Sequence, residues 1–149
     1  MKRDMMYEAH SSFLGVPKDI AYIMNMLLKN PNIGKLLWYG VPDCLRKPNI
    51  SSKEIMEMLK TEQISTKPKV KVDENEKTYL IVTFDNYIPN DSNTFYRDHT
   101  IEVRIITHFN LWYLEDNDLR LYKLAGEIDS MLNGAKMSGI GITNFVRAN

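Results

Sequence analysis

"IEVRIITHFNLWY", residues 101–113, runs directly into "LEDNDLRLYKLAGEIDSML", residues 114–132. Apolar and polar residues alternate along the first stretch, which is typical of a β-strand with one face toward a core. Apolar residues recur every three or four positions along the second stretch, which predicts one amphipathic helix. The apolar stripe of this helix consists of Leu121, Leu124, Ile128, Met131 and Leu132. The chain therefore places a long strand directly before a helix that can cover it.

The alternation in residues 101–113 assigns its side chains to two faces of a strand. One face carries Ile101, Val103, Ile105, Phe109 and Leu111, and the other carries Glu102, Arg104, Ile106, His108 and Trp112. Residues 78–88 alternate in the same way and predict a second strand. A long polar connection, residues 87–98, joins the two.

Helical spacing dominates the N-terminal half. A first helix begins at Pro17 and ends at Asn30 and Pro31, with an apolar side formed by Ile20, Ile23, Met24, Leu27 and Leu28. "NIGKLLWYG", residues 32–40, adds a short turn. "SSKEIMEMLKT", residues 51–61, predicts a second helix, because Ser51 and Glu54 have capping-box spacing. Its apolar side consists of Ile55, Met56 and Leu59.

Shorter signals complete the order of elements. Val70 and Val72 alternate with lysines after Pro68, and "DENEK", residues 73–77, predicts a hairpin turn toward the strand at 78–84. Asp116 and Asp118 lie at the predicted start of the last helix, where negative charge interacts favourably with the positive end of the helix dipole. Asn133 and Gly134 predict its end, and "GIGITNFVRAN", residues 139–149, predicts a closing strand.

This order predicts an α+β fold, in which a mainly antiparallel sheet of about four strands packs against helices. With 149 residues, the chain is expected to form a single domain, residues 1–149. The same patterns predict an arm or irregular lead-in at residues 1–16, a helical part at residues 17–62, and the sheet with its helix at residues 67–149.

The composition argues against several classes of protein. Lysine and arginine total 19, as do aspartate and glutamate, whereas a dedicated nucleic-acid-binding domain is usually basic. The single cysteine, Cys44, excludes an intrachain disulfide and suggests a reducing compartment. Acidic residues interrupt the N-terminal stretch where a signal peptide needs an apolar core, and no apolar run is long enough to span a membrane. A cytoplasmic-type protein is expected.

The histidine, cysteine and acidic residues that could catalyse a reaction or bind a metal are scattered along the sequence. His99 and His108 are nine positions apart, so in a regular strand they point to opposite faces and lie roughly 30 Å apart. Cys44 has no nearby base in the sequence, and His10 lies in the unpatterned lead-in. Asp91 and Glu102 have EF-hand spacing, but Tyr96 occupies the position that requires glycine. We therefore predict no catalytic residue, no metal site and no cofactor.

Aromatic and charged clusters are more informative. Aromatic residues near the ends of elements either close the ends of the core or form contacts between subunits, where tyrosine and tryptophan are enriched. Residues 85–129 contain nine acidic and four basic residues, and a locally basic edge lies near residue 69. These charged patches are either contacts between neighbouring subunits or ordinary surface. The candidate subunit-interface residues are Lys67, Lys69, Lys71, Tyr87, Phe95, Tyr96, Arg97, Trp112, Tyr113, Asp116 and Asp118.

Residues 78–147 resemble the tail-terminator and tail-completion proteins of long-tailed bacteriophages, and their relatives at the head–tail joint. The resemblance is carried by "TIEVRIITHFNLWY", residues 100–113, followed by "DNDLRLYKLAGEIDSMLNG", residues 116–134. It rests on the pattern of elements and not on a chemical motif.

This resemblance implies a non-enzymatic virion protein that assembles in the host cytoplasm. Copies of the chain would form a ring, a hexamer or dodecamer, at the head–tail interface or the tail end. Its partners would be tail-tube, portal or connector proteins, with DNA only as passing cargo and no membrane. Two alternatives stay open: a small cytoplasmic protein-binding or regulatory module that acts as a monomer or dimer, and an enzyme that uses Cys44 or His108.

Overall fold

The computed structural model describes residue 13 and residues 15–67, 76–89, 91–92, 97–137, 140–146 and 148. Along these residues, groups of helices and groups of strands follow one another, which confirms the predicted α+β class. In chain order the main elements are α1 (Val16–Leu28), α2 (Pro31–Trp38), α3 (Ser52–Lys60), β1 (Ile64–Ser65), β2 (Thr78–Pro89), β3 (Arg97–Thr107), α4 (Arg120–Leu132), β4 (Lys136–Met137) and β5 (Gly141–Ile142).

The strands of the described residues divide between two sheets. In the larger sheet β2 is the middle strand, parallel to β1 and antiparallel to β3. The smaller sheet consists of β4 and β5, so the predicted closing strand pairs within a short hairpin and does not join the main sheet. The predicted strand at Val70 and Val72, and its turn as far as residue 75, lie outside the described residues. The described parallel partner of β2 is β1, which the sequence pattern did not indicate.

The β2–β3 hairpin is longer than the sequence pattern predicted. The two strands pair as far as Pro89 and Arg97, so strand structure occupies both ends of the connection predicted at residues 87–98. The register shifts between Phe84 and Asn86, and Asp85 has no partner residue on β3. This β-bulge interrupts the regular alternation that was predicted for the whole strand.

Asn30 follows the end of α1 and is also the N-cap of α2. Its side chain accepts a hydrogen bond from the Asn32 N–H at 2.9 Å, and Pro31 occupies the first turn of α2. Asparagine is a favoured N-cap, and proline costs no hydrogen bond in the first turn. The predicted short turn at residues 32–40 is therefore an eight-residue helix.

The core lies between the helices and one face of the main sheet. Leu80 and Val82 of β2 are fully buried there. The predicted stripe of α4 is confirmed, since Leu124 and Ile128 are buried and Met131 and Leu132 pack against the same cluster, while Leu121 is half-buried. The other helices contribute Ile23, Leu27, Ile33, Leu36, Leu37 and Met58.

The predicted capping box of α3 is confirmed, but its buried side is rotated from the one predicted. The Ser51 N–H donates to Glu54 Oε2 at 2.6 Å, and the Glu54 N–H donates to Ser51 Oγ at 3.4 Å. Met58 is fully buried, whereas Met56 is 52% exposed, so the prediction for Met56 was wrong. The side chains at positions 55, 58 and 59 share one helix face, and position 56 lies outside that face.

We expect the capping box to make the stability of the protein depend on pH. The hydrogen bonds from Ser51 hold the pKa of Glu54 below its ordinary value of 4.5. Its contribution is therefore present above the unfolded-state pKa and is lost as pH falls through the folded-state pKa. Glu54→Gln should melt below the parent protein at pH 7 and converge with it at acidic pH.

Thermal denaturation followed by circular dichroism at several pH values measures this difference. Glu57→Gln is the matched control, because Glu57 lies on the same helix but outside the capping box. A Glu54→Gln difference that is constant with pH would contradict the assignment.

The junction between β3 and α4 differs from the predicted strand-to-helix junction. Strand β3 ends at Thr107, and a 3₁₀ turn, Phe109–Leu111, follows it. Phe109 and Leu111 were predicted on one strand face, but Phe109 is exposed and Leu111 is buried. This prediction failed because a 3₁₀ turn does not keep the two-residue alternation of a strand.

Helix α4 begins at Arg120, six residues later than predicted. Asp116 and Asn117 have φ values of 60° and 59°, which is left-handed backbone that a right-handed helix excludes. Asp118 Oδ1 accepts a hydrogen bond from the Leu119 N–H at 2.8 Å, so the acids at 116–118 precede the helix and do not form its first turn. The predicted end is confirmed, since α4 ends at Leu132 and Gly134 has a φ of 72°.

Candidate interaction surface

The connection between β3 and α4 presents aromatic side chains to solvent. Phe109 and Tyr113 are each 73% exposed, and Trp112 is 38% exposed. Tyr122, in the first turn of α4, is also exposed. We name residues 109–119 the aromatic loop. Large aromatic side chains that stay exposed in one region are typical of a protein-binding surface.

Backbone hydrogen bonds hold the aromatic loop in one conformation. Tyr113 and Leu119 form an antiparallel bridge. The Leu114 N–H donates to the Asp118 carbonyl at 2.9 Å, and the Arg120 N–H donates to the Trp112 carbonyl at 2.8 Å. The loop therefore folds back on itself like a small hairpin.

Arg120 anchors the aromatic loop from beneath. Its side chain is 1% exposed, and Nε donates to the Leu111 carbonyl at 2.8 Å. Nη1 donates to the Leu36 carbonyl at 2.6 Å, and Nη2 donates to the Val41 carbonyl at 2.9 Å. Burial lowers the pKa of this guanidinium, but arginine stays charged in proteins. One cation thus joins the loop to α2 and to the segment after α2.

The C-terminal end of α2 explains why a buried cation is tolerated there. The last carbonyls of a helix have no partner within the helix, and their dipoles favour positive charge. Arg120 satisfies the carbonyl of Leu36, and Gln63 Nε2 donates to the carbonyl of Leu37 at 2.6 Å. Arg120 therefore caps the C-terminal end of α2 and also holds the aromatic loop in place.

Two further contacts hold the acidic part of the loop. The Glu115 N–H donates to the Pro42 carbonyl at 3.2 Å. Arg46 Nε lies 3.0 Å from Glu115 Oε2, in an ion pair whose Arg46 side chain is 71% exposed. Such exposed pairs contribute about 0–1 kcal/mol, so this pair orients the loop more than it stabilises the fold.

The residues considered for chemistry are placed in separate environments. Cys44 is fully buried beside Arg120, and burial raises the pKa of its thiol, which disfavours the thiolate that a nucleophile needs. His99 lies on β3, with Nδ1 3.8 Å from Asp19 Oδ2 on α1. His108 follows the end of β3, so the predicted placement of the two histidines on opposite faces of one strand was wrong.

A cavity of about 300 Å³ is lined by the end of α2, by α3 with the residues that follow it, by residues 76–77 before β2, and by Leu111. Gln63 is among its lining residues, but the amide Nε2 already donates to the carbonyls of Leu37 and Thr78. Within the described residues, the histidine, cysteine and acidic side chains form no group of three that could hold a metal ion. Each helix described here is too short or too polar to cross a bilayer.

The structure brings four of the predicted interface residues together, since Trp112, Tyr113, Asp116 and Asp118 all lie in the aromatic loop. Lys67 pairs with Glu62 in its own chain. Tyr87 and Arg97 lie on β2 and β3 near the hairpin tip. Outside the described residues are Lys69, Lys71, Phe95 and Tyr96.

The sequence pattern missed two members of the surface. Phe109 was assigned to the inner face of a strand that ends before it. Tyr122 lies off the apolar stripe at positions 121, 124 and 128, and this offset was the signal that could have placed it on the outside.

A second exposed apolar surface lies at the other end of α4. We name residues 133–137 and 140–146 the C-terminal hairpin, in which Ile142, Phe145 and Val146 are exposed. The Gly134 N–H donates to the Thr143 carbonyl at 2.7 Å, and the Phe145 N–H donates to Asn133 Oδ1 at 3.2 Å. The hairpin is thus fixed to the C-terminal end of the helix, about 18 Å from the aromatic loop along the helix axis.

The chain is similar to one known protein family. Residues 30–149 match the YomW family. The chain belongs to the YomW family. This is a phage-associated family, and the match extends from α2 to the end of the chain, so it includes both exposed apolar surfaces of this YomW protein. No curated protein and no solved structure matches the chain.

Proposed function

We propose that this YomW protein is a non-enzymatic structural protein of a phage virion. Copies of it form a ring at the head–tail interface or the tail end, and DNA passes through the ring. Membership of a phage-associated family supports the viral context. The resemblance of residues 78–147 to tail-terminator and head–tail joining proteins supports the position in the virion.

The aromatic loop is the observation that carries this proposal. Its aromatic side chains are exposed, and its backbone is held in place by Arg120 and by the Tyr113–Leu119 bridge. A surface that is already ordered loses little conformational entropy when it binds, which favours affinity. Tyrosine and tryptophan are also the residues that most often dominate binding energy at interfaces.

The charge of the chain agrees with a passage for DNA. The 19 basic residues equal the 19 acidic ones. A lumen with excess positive charge would bind phosphates and hold the genome back. A chain without net charge lets DNA pass while aromatic contacts hold the ring together.

The ring is tested by native mass spectrometry across protein concentration, together with negative-stain electron microscopy. We expect closed rings with a central hole. Tyr113→Asp should shift the population to monomers, because it places a charge at the centre of the aromatic loop. Tyr22→Asp, at an exposed tyrosine of α1, is the matched control and should leave the rings intact.

A protein that remains a monomer or a dimer at every concentration would contradict the ring. That result would instead favour a small protein-binding or regulatory module. Rings that persist in Tyr113→Asp would show that the aromatic loop is not the contact.

A further inference from the structure

The ring proposed above requires each aromatic loop to meet a surface on a neighbouring copy. We infer that this surface is the C-terminal hairpin, so that the chain associates head to tail along α4. This inference rests on the proposed function and adds the identity of the contact. A ring needs two different surfaces on every subunit, and the two ends of α4 provide them.

The geometry prevents the two surfaces from meeting within one chain. The aromatic loop precedes α4 and the C-terminal hairpin follows it, with thirteen helical residues between them. A helix of that length separates them by about 18 Å. Each surface is exposed, and each is held by hydrogen bonds to its own end of the helix.

The charges of the two surfaces are complementary. Residues 109–119 contain Glu115, Asp116 and Asp118 and no basic residue. Arg46 compensates Glu115, whereas Asp116 and Asp118 are exposed. The described residues of the C-terminal hairpin contain the exposed Lys136 and no acidic residue. An apolar centre with oppositely charged surroundings matches the usual anatomy of a specific interface.

Two other contacts fit the observations less well. Contact between two aromatic loops would place Asp116 and Asp118 against the same acids of the neighbour, and like charges at an interface are unfavourable. Lys67, on the predicted basic edge, is already paired with Glu62. The C-terminal hairpin combines exposed apolar side chains with an excess of positive charge.

The test mixes two variants, each with one damaged surface. Tyr113→Asp damages the aromatic loop, and Phe145→Asp damages the C-terminal hairpin. Each variant alone should lose rings, with the Kd for self-association raised at least about thirtyfold, the effect of an interface hot spot. In an equal mixture, the intact loop of one variant should bind the intact hairpin of the other. The expected product is a 1:1 heterodimer that cannot grow further, detected by its mass.

The outcomes separate this inference from the proposed function. Wild-type rings together with normal rings of Phe145→Asp would overturn the head-to-tail contact and leave the ring proposal standing. Loss of rings in both variants without a heterodimer in the mixture would also overturn it. A wild-type protein that never forms rings would contradict both proposals. Circular dichroism spectra that match the parent protein establish that each variant is folded.

Discussion

Arg120→Ala should lower the free energy of unfolding by about 3–5 kcal/mol, because it leaves buried carbonyl groups without donors. The guanidinium donates to the buried carbonyls of Leu36 and Leu111 and to the part-buried carbonyl of Val41. Each unpaired buried acceptor costs about 1–3 kcal/mol, and water that enters the vacated space recovers part of this cost. Urea denaturation followed by circular dichroism measures the change. The exposed aromatic loop should also lose its fixed conformation.

Arg46→Ala is the matched control for charge in the same region. Its ion pair with Glu115 is exposed, so the expected loss is below about 1 kcal/mol. Arg120→Lys keeps the charge but cannot reproduce the planar fork of donors, and it should resemble Arg120→Ala more than the parent. Equal and small losses for Arg46→Ala and Arg120→Ala would refute the anchoring role.

Met58→Ala should destabilise the protein by about 2–5 kcal/mol, the usual cost of truncating a large apolar side chain in a core. Met58 is fully buried in the main cluster. Met56→Ala, two positions earlier on the same helix, should change the stability by about 0.5 kcal/mol or less, since the side chain is 52% exposed. Both variants make the same chemical change, so the difference between them isolates burial.

Chemical denaturation of the two methionine variants under identical conditions supplies this comparison. A loss for Met56→Ala as large as that for Met58→Ala would mean that α3 buries a different face. It would also restore the face that the sequence pattern predicted.

Much of the fold was predictable because long elements repeat their pattern several times. The stripe of α4 recurs along a helix of 13 residues, and β2 is a strand of 12 residues, although the bulge at Asp85 interrupts its alternation. Strand β1 has only two residues, which is too few to show any period. Its parallel pairing with β2 depends on tertiary contacts that no local pattern contains. Helix α2 was missed for another reason, because its N-cap, Asn30, also marks the end of the helix before it.

The candidate interaction surface was partly predictable for a related reason. Trp112 and Tyr113 stood out as aromatic residues at the end of an element, and the structure places them at the surface. Arg120 could not be recognised, since a charged residue beside an apolar stripe normally faces solvent. Its burial depends on carbonyl groups at Leu36 and Val41 that lie far away in sequence. The anchor of the loop is therefore a property of the assembled fold.

The contacts of Arg120 have a consequence for the order of events during folding. They join residues that are 84 and 79 positions apart, and contacts across such distances form slowly because they close long loops. The aromatic loop gains its shape only when the N-terminal helices and α4 have come together. An incomplete or partly folded chain therefore lacks the ordered aromatic loop, and under the proposed ring assembly only folded subunits would present this loop to a neighbour.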